Sequence, residues 1–407
     1  MATVALIGTL DTKGDDFAFV RGQIEARGHR TLMIDFSVVG EPGFAADIAR
    51  EEVALAGGTA LAALQQAADR GNAMNVMSAG AAEIVRRLYA QGRIDGILGM
   101  GGGGGTTVAS AAMRALPVGF PKLIVSTVAS GETSRFIGTS DIVMMPAVID
   151  VAGLNRISRQ IYRNAAGAIC GMVENADNAP AADDERPMVA VSMFGNTTRA
   201  VGHARQVLER AGYEVLVFHA TGVGGRTMEM LTAEGQFAGV LDMTTTEWAD
   251  ELVGGVLSAG AERLDAAALN GVPQVVVPGC IDMVNFWGRE SVPERFADRV
   301  LYDWNANVTL MRTTPAETAR LGEIFADKLN RASGPVAVYI PLEGVSEIDV
   351  AGKPFHLPEA IATFRDALRE RLRADIPIVE MHTDINDAAF GQAAAETLLA
   401  MLRGKAD

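Results

Sequence analysis

Asp95-Gly-Ile-Leu-Gly-Met-Gly-Gly-Gly-Gly-Gly-Thr-Thr107 is the stretch on which the fold of the first half turns. Gly96 to Gly99 reads as a buried strand, and Val108 to Leu116 is helix-prone. Between them five consecutive glycines, Gly101 to Gly105, let a backbone approach a ligand closely. A helix that follows such a turn points its free N–H groups and the positive end of its dipole at whatever sits there, which is how phosphate is bound. Thr106 and Thr107 add hydroxyls for phosphate or for hydrated magnesium. A flexible turn, glycine-rich only to permit tight packing, is the competing reading, because no Gly-x-x-x-x-Gly-Lys-Ser/Thr is present and the loop has no lysine of its own.

The same rhythm extends in both directions. Strands are expected near Val4 to Gly8, Thr31 to Phe36, Lys122 to Thr127 and Ile142 to Met145, with helices between them, including Met77 to Ala90. From Asn175 to Pro187 the apolar period is lost and two prolines intervene, which predicts a domain boundary. The rhythm resumes with strands at Met188 to Met193, Glu214 to Phe218, Gly239 to Leu241, Gln274 to Val277, Val308 to Met311, Val336 to Ile340 and Ile378 to Met381. The expectation is an α/β protein of two doubly wound, Rossmann-like domains with mainly parallel sheets: a glycine-loop nucleotide-binding domain over 1–180 and a second α/β domain with a metabolite site over 187–407.

Composition narrows the function. The 407 residues are 49% hydrophobic and 21% charged, ordinary values for folded domains. Lys plus Arg is 35 against 50 for Asp plus Glu, a net charge of −15 that repels phosphate polymers and anionic membranes. No nucleic-acid or membrane partner is therefore expected. Cys170 and Cys280 form no Cys-x-x-Cys pair, and the opening apolar run turns polar by Thr9, too early for a signal peptide, so cytoplasmic residence is expected. Symmetry makes a homodimer the default assembly.

Ligands of open α/β sheets sit where strand-to-helix loops converge. In the first half, Gly8, Thr9, Asp11 and Lys13 follow one strand, and Ser130, Gly131, Thr133 and Ser134, with Arg135 as a further cation, follow another. Together with Gly101, Gly102, Gly103, Gly104, Gly105, Thr106 and Thr107 they are the candidate nucleotide-binding residues. In the second half, Asp242, Glu247, Glu343 and His219 are candidate acid–base groups. Gly224, Gly225, Arg226, Thr244, Thr245, Thr246, Asp282, Asn285 and Arg312 are candidates for holding a small metabolite, the arginines by bidentate bonds to an anionic group. Of these, Arg226, Asp242, Thr244, Thr245, Glu247, Asp282, Asn285, Arg312 and Glu343 should converge on one cleft. The competing readings are ordinary ones: Thr246 as a helix cap, His219 as a structural side chain, Arg312 in a surface salt bridge, Cys280 as an inert thiol. No metal ligand is assigned beyond magnesium arriving with the nucleotide.

At these residues the sequence resembles the Tm-one-like ATP-binding domain family along essentially its whole length. The resemblance is carried by Gly8-Thr-Leu-Asp-Thr-Lys-Gly14, the glycine run with Thr106, and Ser130-Gly-Glu-Thr133. It continues in His219-Ala-Thr-Gly-Val-Gly-Gly-Arg226, Asp242-Met-Thr-Thr-Thr-Glu247, Pro278-Gly-Cys-Ile-Asp-Met-Val-Asn-Phe286, Val308-Thr-Leu-Met-Arg-Thr-Thr314 and Ile340-Pro-Leu-Glu-Gly-Val-Ser346. It implies ATP binding in a two-subdomain α/β fold and supplies no reaction. The family carries a His-Asn pair where Trp304-Asn305 stand here, so no role for that imidazole transfers. The function expected is that of an ATP-binding metabolic enzyme acting on a small anionic or polyhydroxylated metabolite, with phosphoryl or nucleotidyl transfer as its candidate chemistry. A nucleotide-gated binding or inhibitory protein without turnover is the alternative.

Overall fold

The computed structural model describes residues 1–178 and 186–404, and the chain divides into two compact units, Met1–Asp183 and Asp184–Asp407. Of the expected boundary segment, Asn175–Asn178 instead complete the helix Arg156–Asn178. That helix can run on because the first proline comes only at Pro180. The remainder, 179–185, lies outside the described residues.

The first unit holds five strands, β1 (Thr3–Gly8), β2 (Arg30–Asp35), β3 (Gly96–Gly101), β4 (Lys122–Ser126) and β5 (Val143–Pro146), all parallel, in the order β2-β1-β3-β4-β5. The central strands β1, β3 and β4 are buried except at Thr3, as expected of a sheet covered on both faces. One face packs on the helices Arg50–Ala56, Leu61–Ala67, Arg70–Ala90 and Gly103–Arg114, through Val53, Leu64, Met77, Ile84 and Val108. The other packs on Leu10–Glu25 and Arg156–Asn178, through Phe17, Val20, Tyr162 and Ile169. Strand order reverses between β1 and β3, so the loops leaving those two strands flank the crevice where such sheets bind ligands.

The second unit holds β6 (Met188–Met193), β7 (Glu214–His219), β8 (Gly239–Asp242), β9 (Gln274–Val276), β10 (Met283–Phe286), β11 (Leu301–Asn305), β12 (Val308–Arg312), β13 (Val336–Pro341) and β14 (Ile378–Met381). Six of them form a parallel sheet in the order β14-β13-β9-β8-β6-β7, whose order reverses between β6 and β8. The other three form a small antiparallel sheet of their own, with β12 paired between β10 and β11. Sequence reading places Val308 to Met311 within the main rhythm and misses β10 and β11. β10 is only four residues long and buried on both faces, so it shows no alternation. β11 is half exposed, Trp304 among its exposed residues.

Candidate functional site

The glycine run differs from the expected free loop. Gly101 ends β3, Gly102 is an extended cap residue, and the helix Gly103–Arg114 starts inside the run. Its first closing bond runs from the Thr106 N–H to the Gly102 carbonyl at 2.9 Å, so the N–H groups of Gly103, Gly104 and Gly105 have no acceptor within the helix. No side chain caps them. None of the five glycines adopts a left-handed φ. A Cβ on Gly103 would meet nothing within 4 Å, and on Gly104 it would come no closer than 3.7 Å to Met74 Sδ. Gly103 and Gly104 are thus not required by their own packing, and their bareness leaves the helix mouth open.

The mouth is braced from behind. Thr106 is fully buried, its hydroxyl bonded to the Gly102 carbonyl at 2.8 Å and to Ser126 Oγ at 2.6 Å, and Thr127 N donates to the Gly101 carbonyl at 3.2 Å. Thr107 is exposed, its hydroxyl on the Gly103 carbonyl at 2.9 Å.

Gly104, Gly105 and Val108 form one side of a cavity of about 550 Å³. Thr9 and Asp11 after β1 and Phe36 to Val39 after β2 form another. Leu64, Gln65, Arg70, Met74 and Met77, from two preceding helices, complete a largely apolar wall. Asp35 is committed to the scaffold, accepting from Leu10 N at 3.1 Å and from Ser37 N and Oγ at 2.9 Å each. Asp11 is different: Oδ2 accepts from Gly40 N at 3.1 Å, while Oδ1 is buried without a partner. A buried carboxylate oxygen without a donor is costly, so a ligand donor or a cation at this wall would stabilise it.

The other first-unit candidates do not line this cavity. Gly8 is needed by packing, since a Cβ there would overlap the Phe17 ring. The Lys13 ammonium is bonded to the Val151 carbonyl. Ser130, Gly131, Thr133 and Ser134 form the largely exposed connection after β4, with Ser134 N donating to Glu132 at 2.8 Å. Arg70, Leu64, Met74 and Met77 are the lining residues that sequence reading missed. The available signal was Asp69, which caps the helix Arg70–Ala90 by accepting from Asn72 N and so places that helix's first turn seven residues earlier than its apolar period suggests.

In the second unit the candidates do not form one open cleft. Asp242 and Glu247 join Glu229 around Arg263, which is fully buried. Arg263 Nε donates to Glu247 at 2.8 Å, Nη2 to Asp242 at 2.6 Å and Nη1 to Glu229 at 3.0 Å. Burial alone would lower the guanidinium pKa, but Asp242 and Glu247 outweigh it and hold it well above its usual value. Burial pushes the Glu247 and Glu229 carboxyls up against the pull of the same arginine. Glu247 Oε1 also accepts from Gly222 N at 2.7 Å and Gly225 N at 3.1 Å, filling the start of the helix Val223–Ala233. Ser192 bridges Asp242 and Thr244 N, and Thr244 and Thr245 bond Thr197 Oγ1 and the Val277 carbonyl.

A second group joins Asn285 to Asp250, with Asp250 pushed up to about 7 by burial, and has Asn285 Nδ2 3.3 Å from Thr246. A third joins Asp282 to Ser346 at 2.7 Å and Arg312 to Asp349 at 3.1 Å. Asp282 is pushed up to about 7, by burial first and then by Asp349. No water-sized space remains between Asp282, Arg312 and Asp349. Arg226, His219 and Glu343 lie apart and exposed, Arg226 on the Ser258 carbonyl at 2.9 Å and His219 edge-on to Phe194. A Cβ on Gly224 would overlap the His219 carbonyl, so that glycine serves packing. Burial drives the Cys280 thiol well above its ordinary pKa. Arg263, Glu229 and Asp250 were not found from sequence.

Comparison with known proteins agrees with the two-unit division. The N-terminal domain of the "Uncharacterised protein family (UPF0261)" matches residues 2–178, and its C-terminal domain matches 186–402. A UPF0261 protein of Clostridium tetani is 50% identical over 98% of both chains, and one of Rhizobium meliloti is 44% identical over 97% of this chain and 98% of its own. The ToMV resistance protein Tm-1 of Solanum lycopersicum is 41% identical over 81% of this chain and 44% of its own length. Among solved structures, an esterase domain from a Rhodothermus marinus protein covers 55% of this chain and 89% of its own at a TM-score of 0.31 and 15% identity, too distant to bear on fold or function. Among the described residues no helix is long and apolar enough to cross a membrane. With both domains matched and half of its residues shared with a full-length relative, this chain belongs to the UPF0261 family.

Proposed function

We propose that the protein binds ATP with magnesium in its first unit, the base in the apolar cavity and the phosphates at the glycine mouth. The observation that carries this reading is the uncapped start of the helix Gly103–Arg114, three N–H groups without acceptors, opening on a cavity of about 550 Å³ beside the point where strand order reverses. Leu64, Met74, Met77 and Val108 offer the flat apolar contact a purine takes, and Asp11 Oδ1 offers an acceptor for a ribose hydroxyl or an oxygen ligand for magnesium. The resemblance to a Tm-one-like ATP-binding family points to the same ligand. In the enzyme version, ATP reacts with a small anionic or polyhydroxylated metabolite.

The closed polar groups of the second unit favour a second reading, a nucleotide-gated binding protein. There Asp242, Glu247 and Arg263 satisfy one another and present no open metabolite site. Calorimetry with magnesium and ATP tests the shared part of both readings: stoichiometric binding is expected, and its absence overturns both. ATP consumption with any member of a panel of sugar acids and polyols decides for the enzyme.

A further inference from the structure

The glycine-started helix presents a second face at its mouth. Gly103, Thr107, Ser110 and Arg114 follow one another at intervals of four, three and four residues, the spacing of one helical stripe. This stripe forms one wall of a cleft of about 270 Å³ whose other wall is Arg135 and Phe136. The cleft is thus separate from the larger cavity, which Gly104, Gly105 and Val108 border.

Its chemistry is unusual for this chain. The protein carries a net charge of −15, yet the cleft is lined by two guanidiniums and two hydroxyl side chains and by no carboxylate. Arg114 Nη1 donates to Ser110 Oγ at 3.2 Å and to the Phe136 carbonyl, which holds its side chain along the wall. The Arg135 guanidinium carbon lies 4.6 Å from the centroid of the Phe136 ring, a cation–π contact that uses none of its N–H donors. Glu132, on the same connection, accepts from Ser134 N at 2.8 Å and lies close enough to Arg135 for the two charges to attract, though it does not line the cleft.

We propose that this cleft receives the terminal phosphate of the nucleotide, so that the phosphate chain crosses the glycine mouth from cavity to cleft. The inference rests on the nucleotide reading above and adds selectivity to it: nucleoside di- and triphosphates are preferred over monophosphates. The geometry of a bare helix end supports the crossing. Cα atoms lie about 2.3 Å from a helix axis, so a turn without side chains is only about 5 Å across at Cα. Two or three linked phosphates span that width, and a single phosphate does not. Any side chain at Gly103 would stand in the path, in space that is otherwise open. The arginines also answer the charge deficit of a glycine loop without lysine.

The test is calorimetry on the full chain with magnesium, using ATP, AMP and inorganic tripolyphosphate as probes. The variants are Arg135→Ala, at an exposed position whose loss leaves the core untouched, and Arg135→Lys, which keeps the charge but not the planar fork. ATP should bind at least about tenfold more tightly than AMP. Arg135→Ala should weaken ATP and tripolyphosphate by about tenfold and leave AMP unchanged, with Arg135→Lys between the two. Equal affinity for ATP and AMP, or ATP binding untouched by Arg135→Ala, overturns the subsite while leaving the nucleotide site standing. Failure of ATP and AMP alike to bind overturns the nucleotide reading and the subsite with it.

Discussion

The helices that follow β3 and β7 both begin in glycine-bearing turns at the carboxyl end of a parallel strand. After β3, the helix Gly103–Arg114 starts with no cap and no side chain over its first N–H groups. After β7, the helix Val223–Ala233 starts at Gly222, and its mouth is filled by the Glu247 carboxylate, which is itself clamped by buried Arg263. The motifs look alike in sequence, yet the glycines serve opposite ends. In the first unit they leave space for something from outside. In the second, Gly225 makes room for a carboxylate the protein supplies to itself, since a Cβ there would overlap Glu247. A helix N-terminus that carries its own anion is an element of stability, whereas one left bare is a candidate site.

The largest effect should come from filling the mouth that is already filled. In Gly225→Ala the methyl group must displace Glu247, which cannot yield without leaving Arg263 and Asp242 mismatched in the core. Breaking a buried charge arrangement of this kind costs about 3–5 kcal/mol. Trp248, Trp287 and Trp304 all lie in the second unit, so tryptophan fluorescence in denaturant follows that unit alone. A midpoint within experimental scatter of the parent would show that Glu247 is free to move and that the comparison is mistaken.

A second large effect depends on pH. Asp250, on the short helix that begins with Glu247, is raised from its ordinary 3.8 to about 7 by burial, against the hydrogen bonds from Asn285 that lower it. A raised acid means that the folded form holds the proton while the unfolded form has lost it. Its effect on stability is therefore absent below about pH 4 and grows unfavourable as pH climbs to about 7. Asn285 Oδ1 is buried without a partner, and a flipped amide would accept from a protonated Asp250. Asp250→Asn removes the titration and keeps the shape. Its stability relative to the parent should be near zero at pH 4 and favourable by a few kcal/mol at pH 8. A difference that does not vary with pH would mean that Asp250 is ionised throughout.

At the open mouth, stability and binding should move in opposite directions. Gly103→Ala places a methyl group in empty space and replaces a poor helix former, so the first unit should gain up to about 1 kcal/mol. ATP affinity should fall by about tenfold as the methyl group stands between the phosphates and the backbone donors. Thermal unfolding without ligand and calorimetry with ATP measure the two. Unchanged affinity in the folded variant would remove the glycine mouth from the nucleotide site.

What could be read from sequence follows from how locally each feature is encoded. Buried parallel strands show as apolar runs wherever they fall, so all eleven strands of the two parallel sheets were visible within two residues of their ends. The glycine mouth was visible as a feature, but its helix starts at the third glycine of the run, because the surrounding sheet and helices override the poor helix propensity of glycine. The cavity wall was not legible: Leu64, Met74 and Met77 show the same helical period whether they face a neighbour or a void. Arg263 was least legible, since Gly260-Ala-Glu-Arg-Leu-Asp265 resembles any polar connection. Only a nonlocal demand points to it, namely that Glu229, Asp242 and Glu247 converge on one buried place and require a cation.

The smallest effect tests the same distinction on arginines. Arg226 stands in the glycine-bearing motif His219-Ala-Thr-Gly-Val-Gly-Gly-Arg226, and sequence reading makes it a metabolite candidate, whereas it passes over Arg263. The structure gives it one bond, from Nη1 to the Ser258 carbonyl at 2.9 Å, on an exposed surface. Water replaces such a bond readily, so Arg226→Ala should shift the second unit's denaturation midpoint by no more than about 0.5 kcal/mol. Arg263 makes bonds to three carboxylates in the core, and no solvent reaches it to substitute. If Arg226→Ala proved as damaging as loss of a buried charge, the Ser258 contact would be part of the clamp around Glu247, because Gly222 lies between them in the same turn and would transmit the loss. A near-neutral Arg226→Ala that leaves ATP affinity unchanged would confine the filled mouth to Gly222, Gly225, Glu247 and Arg263.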